Sequence, residues 1–109
     1  MEVKREKLTD AVLLEVTGSV DIYSSPVLRG ELKAALEKRS PRIVVDLRAV
    51  TFVDSSGLAT LIEALQRVNE YQGKLFLCNL APAVLGVFQL ANLDNIFTIS
   101  PTREAALGG

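Results

Sequence analysis

The sequence of 109 residues contains no histidine and no tryptophan, and only one cysteine and one methionine. Without histidine, a Ser-His or Cys-His dyad, a phosphohistidine relay and the commonest zinc sites are all excluded. Neither Gly-x-x-x-x-Gly-Lys-Ser/Thr nor Gly-x-Gly-x-x-Gly occurs, so the two familiar phosphate-cradling loops are missing as well. Carboxylates are scattered along the chain, and only Asp54 sits in a segment that reads as organised. No acid–base pair emerges, so the chain is not expected to be an enzyme or to hold a metal or cofactor of its own. An excess of either charge is also lacking: 12 basic residues face 13 acidic ones, with no basic cluster. Phosphate neutralisation needs clustered Lys and Arg, so neither a nucleic acid nor an anionic membrane is an expected partner. No apolar run approaches the ~20 residues that span a bilayer. The amino-terminal Met1-Glu2-Val3-Lys4-Arg5-Glu6-Lys7 lacks the apolar stretch of a signal peptide, and a cytoplasmic chain is expected. Cys78, inside Leu75-Phe76-Leu77-Cys78, cannot form an internal disulfide and reads as an inert thiol in a buried strand.

What is present describes one globular domain spanning residues 1–109, with 49% apolar and 23% charged residues. Glu2 to Leu8 and Ala11 to Thr17 read as two strands joined through Thr9-Asp10 as a hairpin. Gly18 to Pro26 reads as an ordered turn, with Ser24 or Ser25 before Pro26 starting a helix. Leu28, Leu32, Ala35 and Leu36 give that helix an apolar face, and it ends near Arg39. Ile43-Val44-Val45 opens a strand of the kind covered on both faces. Leu58, Leu61, Ile62, Leu65 and Val68 repeat the helical stripe, with Gly73 as the expected C-cap. Lys74 to Cys78 is a strand, Pro82 to Ala91 a helix, Ile96 to Ile99 a strand and Thr102 to Leu107 a short helix. Leu107-Gly108-Gly109 reads as a frayed end rather than a ubiquitin-like tail. This order predicts an α/β fold: an N-terminal β-hairpin joined to a mixed central sheet of about four to five strands with packed helices. Loops at the carboxyl edge of the strands then form the working surface, and both the Gly18 to Ser25 turn and Asp54-Ser55-Ser56 fall there.

The most informative segment is Thr51-Phe52-Val53-Asp54-Ser55-Ser56-Gly57-Leu58-Ala59-Thr60-Leu61-Ile62. A polar knot of cap-forming residue types separates a strand-like run from a helical stripe. A hydroxyl there stands at the positive end of a helix dipole, where a phosphate is tolerated, although the same residues also serve as a plain helix cap.

Two stretches carry a resemblance to a known family. Val44-Val45-Asp46-Leu47-Arg48-Ala49-Val50-Thr51-Phe52-Val53-Asp54-Ser55-Ser56-Gly57-Leu58 resembles a signature of a strand, Asp-Leu, an aromatic, an apolar residue and Asp-Ser-Ser/Thr-Gly-Leu. Gly18-Ser19-Val20-Asp21-Ile22-Tyr23-Ser24-Ser25-Pro26-Val27-Leu28 resembles a Gly-x-x-Asp-x-x-x-x-Pro-x-Leu loop. Both belong to the anti-sigma factor antagonists, single-domain members of the STAS superfamily. A fainter likeness runs from Gly73 to Ile99, including the Leu90-Ala91-Asn92-Leu93 turn. The resemblance implies a STAS-like domain that acts as a switch. The unmodified protein binds an anti-sigma factor that is also a serine kinase and so releases a sigma factor. Phosphorylation of the first motif serine, here Ser55 with Ser56 as the backup acceptor, ends the complex, and a PP2C-type, metal-dependent phosphatase restores it. ATP and Mg²⁺ belong to the kinase.

Elementary electrostatics fits such a switch. A phosphoserine adds about −1.5 to −2 charges, and like charges forced together at an interface cost several kcal/mol. The backbone N–H groups of Ser56, Gly57 and Leu58 are expected to hold the phosphate at the helix N-terminus. Asp54 either caps the helix or orients the Ser55 hydroxyl. Gly57 either admits a partner's backbone or lets the helix start tightly. Asp21, Tyr23 and Ser24, together with Asp54, Ser55, Ser56 and Gly57, are expected to face the partner, with an alternative in which Asp21 binds its own turn and Tyr23 is half-buried. On the partner-facing reading, Asp21→Ala weakens binding and leaves melting almost unchanged. A monomer is expected. Competing readings are a STAS scaffold or adaptor module, in a stress-signalling complex or a lipid transporter, and a small-anion or nucleotide-binding module using the same helix N-terminus.

Overall fold

A computed structural model describes residues 1–108. The elements are β1 (Glu2–Lys7), β2 (Val12–Val20), α1 (Ser25–Glu37), β3 (Arg42–Val53), α2 (Ser55–Glu70), β4 (Lys74–Cys78), α3 (Pro82–Leu90), β5 (Thr98–Ser100) and α4 (Arg103–Gly108). The five strands form one mixed sheet in the order β1-β2-β3-β4-β5. β1 pairs antiparallel with β2, and the β2–β3, β3–β4 and β4–β5 pairs are parallel.

Alternation along the strands sorts apolar side chains onto two faces. Val12, Leu14 and Val16 of β2, Ile43, Val45 and Leu47 of β3, and Leu75 and Leu77 of β4 enter the main core. They meet Leu28, Leu32, Ala35 and Leu36 of α1, Leu58, Leu61, Ala64 and Val68 of α2, and Val84 and Phe88 of α3. Fully burying a Leu or Ile side chain stabilises by about 1.5–3 kcal/mol, so this layer supplies most of the driving force. The opposite face carries a smaller cluster of Leu13, Val44, Phe76 and Cys78 beneath Ala106 of α4. β3 is therefore covered on both sides, as its unbroken Ile43-Val44-Val45 run predicts. Burial pushes the Cys78 thiol up to about 12, which keeps it protonated and inert.

Several boundaries differ from the sequence expectation for physical reasons. The β1–β2 connection covers residues 8–11 and is closed by Leu8 N–H donating to the Ala11 carbonyl at 2.8 Å. β2 continues three residues past Thr17, because Gly18 takes φ 98° at a register shift and lets the strand stay alongside the long β3. Gly73 is not the left-handed residue that ends α2; Gln72 is, at φ 63°. Gly73 N–H donates to the Val68 carbonyl and Gln72 N–H to that of Asn69, the six-to-one and five-to-two pattern of a Schellman end. A Cβ at Gly73 would lie 2.6 Å from the Tyr71 ring and 2.8 Å from Val68 Cγ2, so space rather than φ calls for glycine there. α1 and α3 end in the same pattern around Arg39 (φ 52°) and Asn92 (φ 59°). β5 starts at Thr98 rather than Ile96, because Ile96 and Phe97 close a turn onto the Leu93 carbonyl. The Phe97 ring meets Phe88 edge-on at 5.6 Å. α4 begins at Arg103, with the Thr102 hydroxyl accepting from Ala105 N–H at 3.1 Å. Leu107 and Gly108 are thus helical rather than frayed, and Gly109 lies outside the described residues.

A polar cluster fastens α4 to the sheet. Arg103 donates through Nε (3.2 Å) and a terminal nitrogen (2.9 Å) to Asp46 Oδ2, and pairs with Glu15 at 2.9 Å. Asp46 Oδ1 accepts from Arg48 N–H at 3.0 Å and from the Asn79 amide at 3.2 Å. Arg42 donates to the Ala106 and Leu107 carbonyls at the other end of the helix and lies over the Phe76 ring. Asp46 is only 4% exposed, so these partners are what compensate the burial of its carboxylate. Arg103→Ala is expected to lower unfolding stability by about 2 kcal/mol, the scale of a lost charge-assisted hydrogen bond to a buried acceptor. Urea denaturation checks this. Arg103→Lys is expected to recover only part of the loss, since an ammonium cannot reproduce the planar fork.

Candidate functional site

β3 outruns β4: its pairing with β4 ends at Asp46, while its pairing with β2 continues to Val20 opposite Val53. The carboxyl ends of β2 and β3 therefore project together, and each feeds a helix. Asp54 N–H donates to the Val20 carbonyl at 3.1 Å, which stitches the two loops at their roots. A Cβ on Gly57 would meet Val20 Cγ1 at 2.9 Å, the Val20 carbonyl at 3.0 Å and Val53 Cγ1 at 3.0 Å. Of the two roles open to Gly57 from sequence, the structure shows the internal one: the glycine is buried and lets α2 start hard against the strand ends.

Asp54 is the N-cap of α2 in extended conformation (φ −105°, ψ −172°). Its Oδ1 accepts from Ser56 N–H at 2.9 Å, Gly57 N–H at 3.1 Å and the Ser56 hydroxyl at 2.9 Å, and its carbonyl accepts from Leu58 N–H at 3.0 Å. Partial loss of solvent pushes the carboxyl up. The Gly57 N–H, the Ser56 hydroxyl and the Ser56 and Ile22 N–H groups outweigh that effect and hold it below the ordinary aspartate value. Two sequence expectations change as a result. Asp54 holds the hydroxyl of Ser56, not that of Ser55. The Ser56, Gly57 and Leu58 N–H groups, expected to receive a phosphate, are already taken by Asp54.

Two adjacent hydroxyls that sequence could not separate are thereby distinguished. Ser56 is half-buried and bonded to Asp54, and its carbonyl accepts from the Thr60 hydroxyl at 2.9 Å. Ser55 is exposed, and its hydroxyl makes no hydrogen bond among the described residues.

In the first loop, Asp21 Oδ1 accepts from Tyr23 N–H and Ser24 N–H, both at 3.0 Å, and lies 3.1 Å from the Ser24 hydroxyl. That hydroxyl donates to the Ser19 carbonyl at 2.7 Å and accepts from Asp21 N–H at 2.9 Å. Asp21 and Ser24 thus spend their polar atoms on the turn itself. Ser24 occupies the N-cap position of α1 without a side-chain capping bond. Tyr23 is 90% exposed, not half-buried. Ile22, Val27 and Phe52 are also exposed large apolar side chains, and sequence reading had not marked them as site residues. Val27 and Phe52 stand in helical and strand-like runs and Ile22 in a polar turn, and only the fold shows that all three face outward. Cavities of about 660 and 270 Å³ lie at the other end of the sheet around Leu8–Ala11 and Pro41.

Because the Asp21 carboxylate holds its own loop, Asp21→Ala is expected to destabilise the fold by about 1 kcal/mol, read by thermal or urea melting. This replaces the unchanged melting expected from sequence. The stabilising effect of Asp54, measured against Asp54→Asn, is expected to be fully present above the ordinary carboxylate range. It should disappear as pH falls through the lowered folded-state value, because protonation then removes the negative charge that the N–H groups and the Ser56 hydroxyl stabilise. Urea midpoints of both proteins across acid pH check the sign.

Comparison with known proteins places this geometry. The family model described as the STAS domain matches residues 2–106. A Bordetella bronchiseptica protein named as an anti-sigma factor antagonist, BtrV, is 30% identical over 106 residues, 97% of this chain and 91% of that one. The crystal structure of an anti-sigma factor antagonist from Mycobacterium paratuberculosis superposes with a TM-score of 0.90 at 27% identity, covering 98% of this chain and 91% of its own. The Bacillus cell fate determinant SpoIIAA in its phosphorylated form shares the fold, with a TM-score of 0.76 at 22% identity over 98% of this chain and 97% of that one. With a five-stranded mixed sheet, an Asp-Ser-Ser-Gly turn at the head of α2 and a family match over nearly its whole length, the chain belongs to the STAS domain family.

Proposed function

We propose that this protein is an anti-sigma factor antagonist that works by partner switching. Its unphosphorylated form binds an anti-sigma factor through the paired loops that carry Tyr23 and Ser55, which frees a sigma factor. Phosphorylation of Ser55 by the anti-sigma factor, acting as a serine kinase, ends the complex, and a PP2C-type phosphatase reverses it. On this reading the chain is a cytoplasmic, monomeric regulator and not an enzyme; ATP and Mg²⁺ serve the kinase. The observation that carries the reading is the exposed, unengaged Ser55 hydroxyl at the start of α2, in a chain whose relatives bear the antagonist name. One structural neighbour, SpoIIAA, is known in a phosphorylated form.

Capping by Asp54 sharpens the electrostatics of the switch. The N–H groups of Ser56, Gly57 and Leu58 are occupied, so a phosphate on Ser55 gains little internal neutralisation and stands beside the Asp54 carboxylate. Its charge remains directed at the partner, where juxtaposed like charges cost several kcal/mol. Reversing a 1:99 population takes about 5.5 kcal/mol of differential binding, which charge and steric bulk together can supply. Ile22 and Tyr23 in the first loop, Val27 in the first turn of α1 and Phe52 near the end of β3 expose apolar area of the kind a docked surface covers.

Incubation with serine-kinase anti-sigma factors and Mg-ATP, followed by intact-mass and peptide-mapping spectrometry, tests the assignment. One added phosphate on Ser55, absent in Ser55→Ala and coupled to loss of the complex, is expected. Stable binding without modification would instead point to a scaffold or adaptor. Tyr23→Ala is expected to weaken the complex about tenfold or more, as loss of a large interface aromatic does, with melting unchanged because the ring is exposed.

A further inference from the structure

We infer that Asp54 is the specificity-determining residue that directs phosphorylation to Ser55 by withholding the hydroxyl of Ser56. The inference rests on the phosphosite reading above. Both serines lie in the first turn of α2, one residue apart, and a kinase that reaches one reaches the neighbourhood of the other. Their chemistry differs because of one oxygen. Asp54 Oδ1 accepts the Ser56 hydroxyl at 2.9 Å while also accepting the N–H groups of Ser56 and Gly57.

Phosphoryl transfer forms a bond from serine Oγ to the γ-phosphorus of ATP, breaks the bond from that phosphorus to the ADP oxygen, and passes the hydroxyl proton to a base of the kinase. Ser56 would have to give up its bond to Asp54 before Oγ could turn to the phosphorus. Its proton points at a carboxylate inside the turn rather than at an incoming base. The product would place a dianionic phosphate within hydrogen-bond distance of that carboxylate, so attack is opposed both before and after transfer. The turn cannot relax easily, since the Ser56 carbonyl is held by the buried Thr60 and Gly57 has no clearance against Val20 and Val53. Ser55 has neither the hydroxyl bond to Asp54 nor the packed turn to break: it is exposed and its hydroxyl is unengaged among the described residues. Asp54 thus acts as a positioning residue. It touches no reacting atom, and its effect is on which hydroxyl reacts.

The test has a kinase arm and a kinase-free arm. In the first, wild type, Ser55→Ala, Asp54→Asn, Asp54→Ala and the double variant Asp54→Ala with Ser55→Ala are treated with serine-kinase anti-sigma factors and Mg-ATP, and sites are mapped by mass spectrometry. Wild type and Asp54→Asn, which keeps the acceptor oxygen, are expected to carry phosphate on Ser55 alone. Asp54→Ala is expected to divide it between Ser55 and Ser56, and the double variant to carry it on Ser56. Phosphate on Ser56 of the wild type would overturn the inference. So would an unmodified double variant alongside Asp54→Ala that is still modified only at Ser55. In the second arm, hydroxyl-proton exchange is read by NMR from deuterium isotope shifts on serine Cβ, with circular dichroism confirming that each variant is folded. Exchange at Ser56 is expected to be at least tenfold slower than at Ser55 in the wild type, and equal to it in Asp54→Ala. Equal rates in the wild type would overturn the inference without any kinase. If no kinase modifies the wild type while the exchange difference holds, the phosphosite reading fails and the inference falls with it; equal rates with normal Ser55 modification sink the inference alone.

Discussion

The contact between the first turn of α2 and the carboxyl ends of β2 and β3 is the constraint on which the rest depends. Gly57 sits against Val20 and Val53 with no space for a Cβ, and Asp54 N–H is bonded to the Val20 carbonyl. The strand–helix junction can therefore take only one arrangement. Interiors packed this closely do not deform continuously, so the residues just outside the contact, Ser55 on one loop and Tyr23 on the other, are displayed from a rigid base. Asp54 completes that base by satisfying backbone donors that the helix start would otherwise leave unpaired.

The two faces of the sheet divide the labour. One bears α1, α2 and α3 over the main core, and the resulting stability leaves the carboxyl-edge loops free to carry exposed apolar groups. The other is closed by the short α4, held through Arg103 on Asp46 and Glu15 and through Arg42 at the helix end. A six-residue helix is too short to be stable alone, so these charged anchors decide whether Leu13, Val44 and Phe76 stay covered. Asp46 therefore serves the fold rather than the site, although it stands in the same signature stretch as Asp54.

A switch at this surface needs no refolding. The N–H groups of Ser56, Gly57 and Leu58 are already bonded to Asp54, and Ser55, the proposed acceptor, lies outside the packed junction. In the proposed switch, charge added at Ser55 changes what can dock without changing what holds the domain together. Regulation and stability can thus vary independently, since the groups that serve each share little beyond the Asp54 carboxylate.

Much of the architecture was legible in the sequence, because period and punctuation are local. The stripe from Leu58 to Val68 specifies α2, Leu75 to Cys78 specifies a buried strand, and Asp-Ser-Ser-Gly marks a helix start with hydroxyls on it. Strand ends were less legible: β2 runs on to Val20 through a bulge at Gly18 because of its partner, not its own composition. Gly73 likewise looked like a left-handed cap until Tyr71 and Val68 showed that it answers a demand for space. Sequence alone determined the fold class and the residue types at the head of α2, since both follow from local pattern and side-chain chemistry. Only the tertiary structure decided that Asp21 turns inward while Tyr23 faces out, that Arg103 reaches Asp46 across 57 positions, and that Ser55 is free where Ser56 is held. Each of those depends on distances between segments, which no run of neighbouring residues encodes.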